Sequence, residues 1–219
     1  MIQHYEIILV VGAFLLAGLL FFEKKESTKG LLIVKPLLSL LFIIAALLQT
    51  HLNMTYFYIV FAGLLLCLIG DVCLIFFFNK KVFTAGLGAF LAGHILYIIA
   101  FFSCGTPGAI LWVTTVACLA LSIGVFSWLK PHLGTMMVPV IAYIVIISAM
   151  VIGASALKSN QMLDLTGKNL VYAGALIFYV SDIFVARHRF VKKEFINRAI
   201  GLPMYYTAQF MIAFSTGLI

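Results

Sequence analysis

Long runs of hydrophobic residues, separated by short polar segments, make up most of the chain. Eight runs are long enough to cross a bilayer as a helix of about 20 residues. They cover approximately residues 5–22, 31–50, 55–78, 84–103, 109–129, 136–157, 168–187 and 200–219. The alternation typical of β-strands is absent, and an open sheet edge cannot satisfy its backbone groups in lipid. The pattern predicts an all-α polytopic membrane protein with eight transmembrane helices in a single domain, 1–219.

Composition agrees with this class. Of the 219 residues, 64% are hydrophobic and 10% are charged, whereas soluble domains are roughly half apolar and a quarter charged. The four cysteines lie in or at the ends of apolar runs without a CxxC pair, which favours packing over zinc binding or disulfides. No Lys or Arg precedes the first run, so a cleaved signal peptide is not expected.

Basic residues are distributed unevenly between the loops. The even-numbered loops contain only Lys158 and Lys168, whereas the odd-numbered loops contain eleven basic residues: Lys24, Lys25, Lys29, Lys80, Lys81, Lys130, Arg187, Arg189, Lys192, Lys193 and Arg198. The positive-inside rule then places the odd loops in the cytoplasm and both termini outside. This topology explains the net charge of +7 without nucleic-acid binding. The short loops and small size favour a bacterial inner membrane.

An internal repeat is visible. The segment 61-FAGLLLCLIGD-71 aligns without gaps to 172-YAGALIFYVSD-182, and the Lys-Lys pair at 80–81 then matches the pair at 192–193 after one insertion. Pro36 and Pro139 also occur near the cytoplasmic starts of corresponding helices. Because the third and seventh helices run in the same direction, we expect a 4+4 parallel repeat about an axis along the membrane normal.

Two carboxylates, Asp71 and Asp182, are the only ones of seven inside predicted spanning helices. A carboxylate in the bilayer is costly and usually functional, although a hydrogen bond between packed helices is the alternative. At 1.5 Å per residue, Asp71 lies about 10 Å and Asp182 roughly 8 Å inside the cytoplasmic helix ends. If the repeat axis is correct, the two aspartates face each other across it.

Further polar residues are predicted at a similar depth, and their convergence in one leaflet is typical of an enzyme pocket. They are Lys35, His94, Tyr97, Tyr143, Ser181, Tyr206 and Gln209. Each also has a structural interpretation. The histidine and glutamine could hydrogen-bond between helices, the tyrosines could form an interfacial belt, and the lysine could extend to lipid phosphates.

Two carboxylates in a partly dry pocket are suited to acid catalysis. Desolvation and mutual repulsion favour a proton on one of them, which can then be donated while the other stays ionised. The ionised group can steer water or stabilise a developing cation, as in glycoside hydrolysis. The sequence contains no serine-hydrolase, zincin or NTPase motif.

At these residues the chain resembles the YhhN family of integral membrane proteins, whose characterised members are lysoplasmalogenases. The resemblance covers the second to eighth predicted helices. It depends on 35-KP-36, 70-GD-71, Phe83, Gly86, Phe90, Gly93, His94, Tyr97, 174-GALIFYVSD-182 and 205-YYTAQ-209. It implies an eight-helix hydrolase that cleaves the vinyl ether of a lysoplasmalogen, without metal or organic cofactor. The implied products are a fatty aldehyde and glycerophosphocholine or glycerophosphoethanolamine.

Together, the residues and the resemblance give a hypothesis for the site. One of Asp71 and Asp182 protonates the vinyl ether, and the other orients water or stabilises the oxocarbenium ion; their order stays open. Lys35 would hold the phosphate of the lysophospholipid as a point charge. The remaining candidates would position the head group, the water or the aspartates, and the alkenyl chain would enter from the cytoplasmic leaflet. No oligomeric state is specified.

Two other functions also use intramembrane carboxylates. Intramembrane aspartyl proteases pair a GxGD with a YD motif, but here the corresponding segments are 68-LIGD-71 and 179-YVSD-182. Proton-coupled transporters combine repeats with membrane carboxylates. Their sites lie near the midplane, whereas the polar residues here are predicted in one leaflet.

Overall fold

The computed structural model describes residues 2–76 and 78–219, except for the side chains of residues 2–4 and 80. All regular structure in these residues is helical. The helices are α1 (Ile2–Lys24), α2 (Thr28–Leu47), α3 (Met54–Ile75), α4 (Lys80–Ser103), α5 (Ala109–Leu133), α6 (Met137–Ser159), α7 (Leu165–Ala186) and α8 (Phe195–Ser215). A 3₁₀ turn joins α5 to α6, and a π turn, Arg187–Val191, extends α7. The described chain therefore has seven continuous helical segments, and the all-α prediction is confirmed.

Six segments of the described chain are long and apolar enough to cross a membrane. They are Tyr5–Lys24, Thr28–Leu47, Met54–Ile75, Lys81–Ser103, Ala109–Ser159 and Leu165–Val191. The protein is therefore an integral membrane protein. The number differs from the predicted eight because α5 and α6 fall within one 51-residue segment and α8 lies outside the six. The polar residues of α8, among them Asn197, Arg198 and Gln209, lower its hydropathy.

Polar caps determine where several helices begin. The side chains of Ser27, Asn53, Asn79 and Asp164 accept hydrogen bonds from backbone N–H groups in the first turns of α2, α3, α4 and α7. The cap at Asn79 starts α4 at Lys80, earlier than the predicted residue 84. The third helix, predicted to reach residue 78, ends at Ile75; residue 77 lies outside the described residues, as do residue 1 and the side chain of Lys80.

Close packing joins α3 to α4 and α7 to α8. A Cβ atom at Gly63 of α3 would lie 3.2 Å from the Gly93 carbonyl oxygen of α4, and one at Gly174 of α7 would lie 3.3 Å from the Ala208 carbonyl oxygen of α8. Small residues at these contacts allow the backbones to approach. Buried polar side chains, among them Lys35, Ser39 and Asp71, lie near the C-terminal ends of α3 and α7.

Candidate active site

A cavity of about 590 Å³ lies among the helices at the end of the bundle that contains the C-terminal ends of α1, α3 and α7 and the N-terminal ends of α2 and α8. This volume is in the range of small-molecule sites. Both Asp71 and Asp182 line it, each four residues before the end of its helix. Apolar side chains such as Phe90, Ile144 and Ile147 form much of the wall, so the cavity combines two carboxyl groups with an apolar lining.

Asp71 is surrounded by hydrogen-bond donors. Its carboxylate Oδ1 lies 3.2 Å from Lys35 Nζ. Its Oδ2 accepts hydrogen bonds from Ser39 Oγ and from the Tyr205 hydroxyl, each at 2.7 Å. The side chain is only 2% exposed. One ammonium and two hydroxyl donors around a buried carboxyl group match the acceptor capacity of its ionised form.

Lys35 was expected to hold a phosphate or to extend towards lipid. In the structure, the residue is 4% exposed and its ammonium group pairs with Asp71. A buried cation needs such a partner because an unpaired charge in an apolar interior is strongly destabilising. Lys35 therefore lines the cavity as the counter-ion of Asp71.

Asp182 has a different environment. The carboxyl group is partly buried, and its Oδ2 accepts a hydrogen bond from the Tyr143 hydroxyl at 2.8 Å. Within the described part of the chain, this is the one hydrogen bond that the carboxyl group makes, and it forms no ion pair there. Tyr143 also lines the cavity. The two aspartates thus share a cavity but differ in the charge and number of their partners.

Three of the predicted residues lie behind the cavity wall and connect to Asp71. Gln209 Nε2 donates a hydrogen bond to the Tyr205 hydroxyl at 3.2 Å, and the Tyr97 hydroxyl donates one to Gln209 Oε1 at 2.9 Å. The Tyr206 hydroxyl lies 3.3 Å from Ser39 Oγ. Gln209 and Tyr206 thus contact the two hydroxyl donors of Asp71, Tyr97 contacts Gln209, and none of the three lines the cavity.

His94 and Ser181 are buried and do not line the cavity. His94 Nδ1 donates a hydrogen bond to the Phe90 carbonyl oxygen at 2.6 Å, and its ring packs edge-on against Phe178 with centroids 4.7 Å apart. The Ser181 hydroxyl donates to the Phe178 carbonyl oxygen of its own helix at 2.7 Å. Neither side chain hydrogen-bonds to an aspartate.

Ser39 and Tyr205, the two hydroxyl donors to Asp71, stand among the polar residues of the second and eighth helices but were not assigned to the site from the sequence. Ser39 lies four residues after Lys35, on the same face of α2, and Tyr205 lies four residues before Gln209 on α8. These spacings were a usable signal, because a residue one turn from a polar site residue faces the same neighbour.

Charged residues surround the cavity at the bundle end. Glu23 of α1 pairs with Arg198 of α8 at 3.7 Å, and Glu26 pairs with Lys193 at 2.7 Å. The hydrogen bond from Lys193 holds the pKa of Glu26 below its usual value. Hydrogen bonds from Lys192 and Arg187 likewise lower the pKa of Glu194. These ion pairs connect the end of α1 to the segment between α7 and α8.

Comparison with known proteins identifies relatives. The model of the YhhN family matches residues 31–216. A Mycobacterium bovis protein named lysoplasmalogenase is 32% identical over 150 residues, 66% of this chain and 54% of the relative. The human protein named lysoplasmalogenase TMEM86B is 33% identical over 155 residues, 70% of this chain and 61% of the relative. The alignments thus span little more than half of these relatives. No solved structure matches. Because the family match covers most of its length, the chain belongs to the YhhN family.

Proposed function

We propose that this protein is a membrane-embedded hydrolase that cleaves the vinyl ether bond of lysoplasmalogens. The products are a fatty aldehyde and glycerophosphocholine or glycerophosphoethanolamine. The observation that carries the proposal is that Asp71 and Asp182, distant in the chain, line one apolar cavity with unequal partners. The names of the relatives from Mycobacterium bovis and human support the same reaction.

Asp182 is the general acid in this proposal. Its carboxyl group has one hydroxyl partner and no cation among the described residues, so burial favours the neutral, protonated form. It donates its proton to the β-carbon of the vinyl ether, and the double bond's electrons form the new C–H bond. The resulting oxocarbenium ion is attacked by water at the α-carbon, and the water's proton returns to Asp182. The hemiacetal then separates into aldehyde and glycerol hydroxyl.

Asp71 is the ionised partner. Lys35, Ser39 and Tyr205 stabilise its charge, so it stays negative in the cavity while the substrate becomes positive. Lys35 therefore acts through Asp71 and not on the phosphate. We assign Tyr206 and Gln209 to positioning because they hydrogen-bond to the hydroxyl groups that hold this carboxylate. Tyr97 positions Gln209, to which its hydroxyl donates a hydrogen bond. His94 and Ser181 support the packing around Phe178.

We also propose that the chain crosses the membrane eight times. The hydrogen bond between Ser122 of α5 and Ser148 of α6, 2.8 Å long, supports an antiparallel hairpin about the turn Gly134–Met136. Helix α8 packs along α7 as α4 packs along α3, which supports a spanning role for α8. Because eleven basic residues lie in the odd-numbered loops, the cavity end of the bundle faces the cytoplasm and both termini lie on the other side of the membrane. The membrane in this proposal is a bacterial inner membrane.

The predicted 4+4 repeat is supported by equivalent contacts in the two halves. Helix α2 contacts α8 as α6 contacts α4, which is the exchange that a two-fold axis would produce. Asp71 accepts a hydrogen bond from Ser39, one turn after Pro36 of α2. Asp182 accepts one from Tyr143, one turn after Pro139 of α6. Each aspartate thus accepts a hydrogen bond from a hydroxyl group of the preceding helix in its own repeat, about one turn after the proline of that helix.

Mass spectrometry of purified protein, incubated with vinyl-ether and ester lysolipids side by side, tests the reaction. We expect aldehyde from the vinyl-ether lipid and no fatty acid from the ester. Asp182→Asn and Asp71→Asn should each lower aldehyde release by about 10²–10⁴-fold, the usual contribution of acid–base catalysis. Asp164→Asn is the matched control, because Asp164 caps α7 away from the cavity and Asn caps equally well. Wild-type turnover in either cavity variant, or cleavage of the ester lipid, would contradict the proposal.

A further inference from the structure

The substrate's phosphate needs a cation, and Lys35 is already paired with Asp71. Of the other Lys and Arg side chains that line the cavity, Lys24 ends α1, Arg189 lies in the π turn, and Lys193 and Arg198 lie just before and in the first turn of α8. All four therefore lie at the same end of the bundle as the two aspartates. We call Lys193 and Arg198 the entrance pair.

Arg198 has hydrogen-bonding capacity that the protein leaves unused. Its Nε atom is buried and has no hydrogen-bond partner among the described residues. The Glu23 carboxylate oxygen with which it pairs is 3.7 Å away, too far for a hydrogen bond. A buried N–H group without a partner is costly. An arginine so placed can donate two parallel hydrogen bonds to a phosphate, a geometry that lysine cannot supply.

The position of Arg198 relative to the aspartates suits the substrate. Arg198 lies seven residues before Tyr205, so both project from the same face of α8 about 10 Å apart along the helix. Tyr205 donates to Asp71. In a lysoplasmalogen, seven bonds separate the protonated β-carbon from phosphorus, a span of about 8 Å at roughly 1.2 Å per extended bond. A phosphate at Arg198 would therefore let the vinyl ether reach the aspartates.

We propose that the entrance pair, Arg198 and Lys193, binds the phosphate group of the phospholipid substrate; this rests on the function proposed above. The N-terminus of α8 adds partial positive charge, because no side chain caps its free N–H groups. When no phosphate is bound, Glu23 of α1 pairs with Arg198, and Glu26 of the turn after α1 pairs with Lys193. The Glu26–Lys193 pair is exposed and weak, so a phosphate can displace it.

Two substrates with the same alkenyl chain test the proposal: alkenyl-glycerophosphocholine, which has the phosphate, and alkenylglycerol, which lacks it. We expect Arg198→Gln to lower the ratio of kcat/KM for the first to kcat/KM for the second at least tenfold, mainly through KM. Glu23→Gln should raise this ratio, since it removes the competing carboxylate. Lys130→Gln, an exposed cation outside the cavity, is the control and should leave the ratio unchanged. An unchanged ratio in Arg198→Gln would overturn the assignment.

A binding measurement tests the phosphate site independently of the proposed reaction. Thermal-shift titrations compare ester-linked lysophosphatidylcholine with monoacylglycerol of the same chain, neither of which has a vinyl ether. We expect the wild type to bind the phospholipid more tightly, and Arg198→Gln to remove that difference. If the difference persists in Arg198→Gln, the phosphate site is wrong, whatever the protein hydrolyses. If the difference is lost but the wild type cleaves no vinyl ether, the phosphate site stands and the proposed reaction fails.

Discussion

At the scale of single residues, the buried ion pair between Lys35 and Asp71 has consequences for stability as well as for chemistry. Both side chains are about 5% exposed or less. Two charges in an apolar interior are stable only together, because each one alone has lost its hydration without gaining a partner. The pair therefore makes the fold depend on both residues.

We expect Lys35→Met to lower the free energy of unfolding by about 3–5 kcal/mol, since it leaves an unpaired buried carboxylate. The double variant Lys35→Met/Asp71→Asn should regain a large part of this loss, because no buried charge is left unpaired. Thermal or denaturant unfolding in detergent measures both.

Lys130→Met, at an exposed position, is the matched control and should change stability little. A double variant no more stable than Lys35→Met would show that Lys35 acts through packing and not through the charge of Asp71.

At the scale of elements, the contact between α3 and α4 holds Tyr97 in place. Tyr97 begins the series of hydrogen bonds that runs through Gln209 and Tyr205 to Asp71. Gly63 of α3 lies under the ring of Tyr97, and a Cβ atom there would come within 2.6 Å of that ring. The ring is fully buried, and its hydroxyl donates to Gln209. It therefore has little freedom to move away, and the glycine determines how closely the two helices approach.

We predict that Gly63→Ala destabilises the protein by about 1–3 kcal/mol through overpacking. Gly88 of α4 is a matched control, because a Cβ atom there meets nothing within 4 Å. Gly88→Ala should be neutral or stabilise by about 0.5–1 kcal/mol, since alanine is the better helix former. Unfolding in detergent compares the two; equal stability of both variants would contradict the close approach of α3 and α4.

At the scale of the whole molecule, ion pairs at the cavity end connect the first and the last connections between helices. Glu26 pairs with Lys193, 167 residues away in sequence. Glu194 pairs with Arg187 and Lys192, next to the π turn. Since these contacts lower the pKa of both glutamates, their contribution to stability depends on pH.

The direction in which stability changes with pH follows from the linkage between protonation and folding. The folded pKa of Glu26 and Glu194 lies below the usual 4.5, so their stabilisation is complete above that value. We expect the melting temperature in detergent to fall as the pH drops below about 4.5, with protonation of the paired carboxylates. Glu26→Gln/Glu194→Gln should have a flatter profile in this range. Glu6→Gln, near the start of α1, is the control and should keep the wild-type slope.

The sequence predicted the fold more completely than the partners of the site residues. Hydropathy predicted the helical membrane class, and the two intramembrane aspartates stood out because charge inside lipid is rare. The number of membrane spans was harder to predict. A turn as short as Gly134–Met136 leaves α5 and α6 in one apolar stretch, and polar residues lower the hydropathy of α8. Tyr205 was not selected, because its neighbour Tyr206 has the same residue type and only packing shows which one contacts Asp71.

The sequence by itself determined the properties that are local: which segments are apolar and helical, which carboxylates lie within them, and membership of the YhhN family. The tertiary structure alone decided which partners those carboxylates have. Lys35 and Ser39 reach Asp71 from α2, and Tyr205 reaches it across 134 residues of chain, while His94 packs away from the cavity. The reason is physical: hydropathy is a property of each segment, whereas a contact between helices depends on the rotation and depth of both.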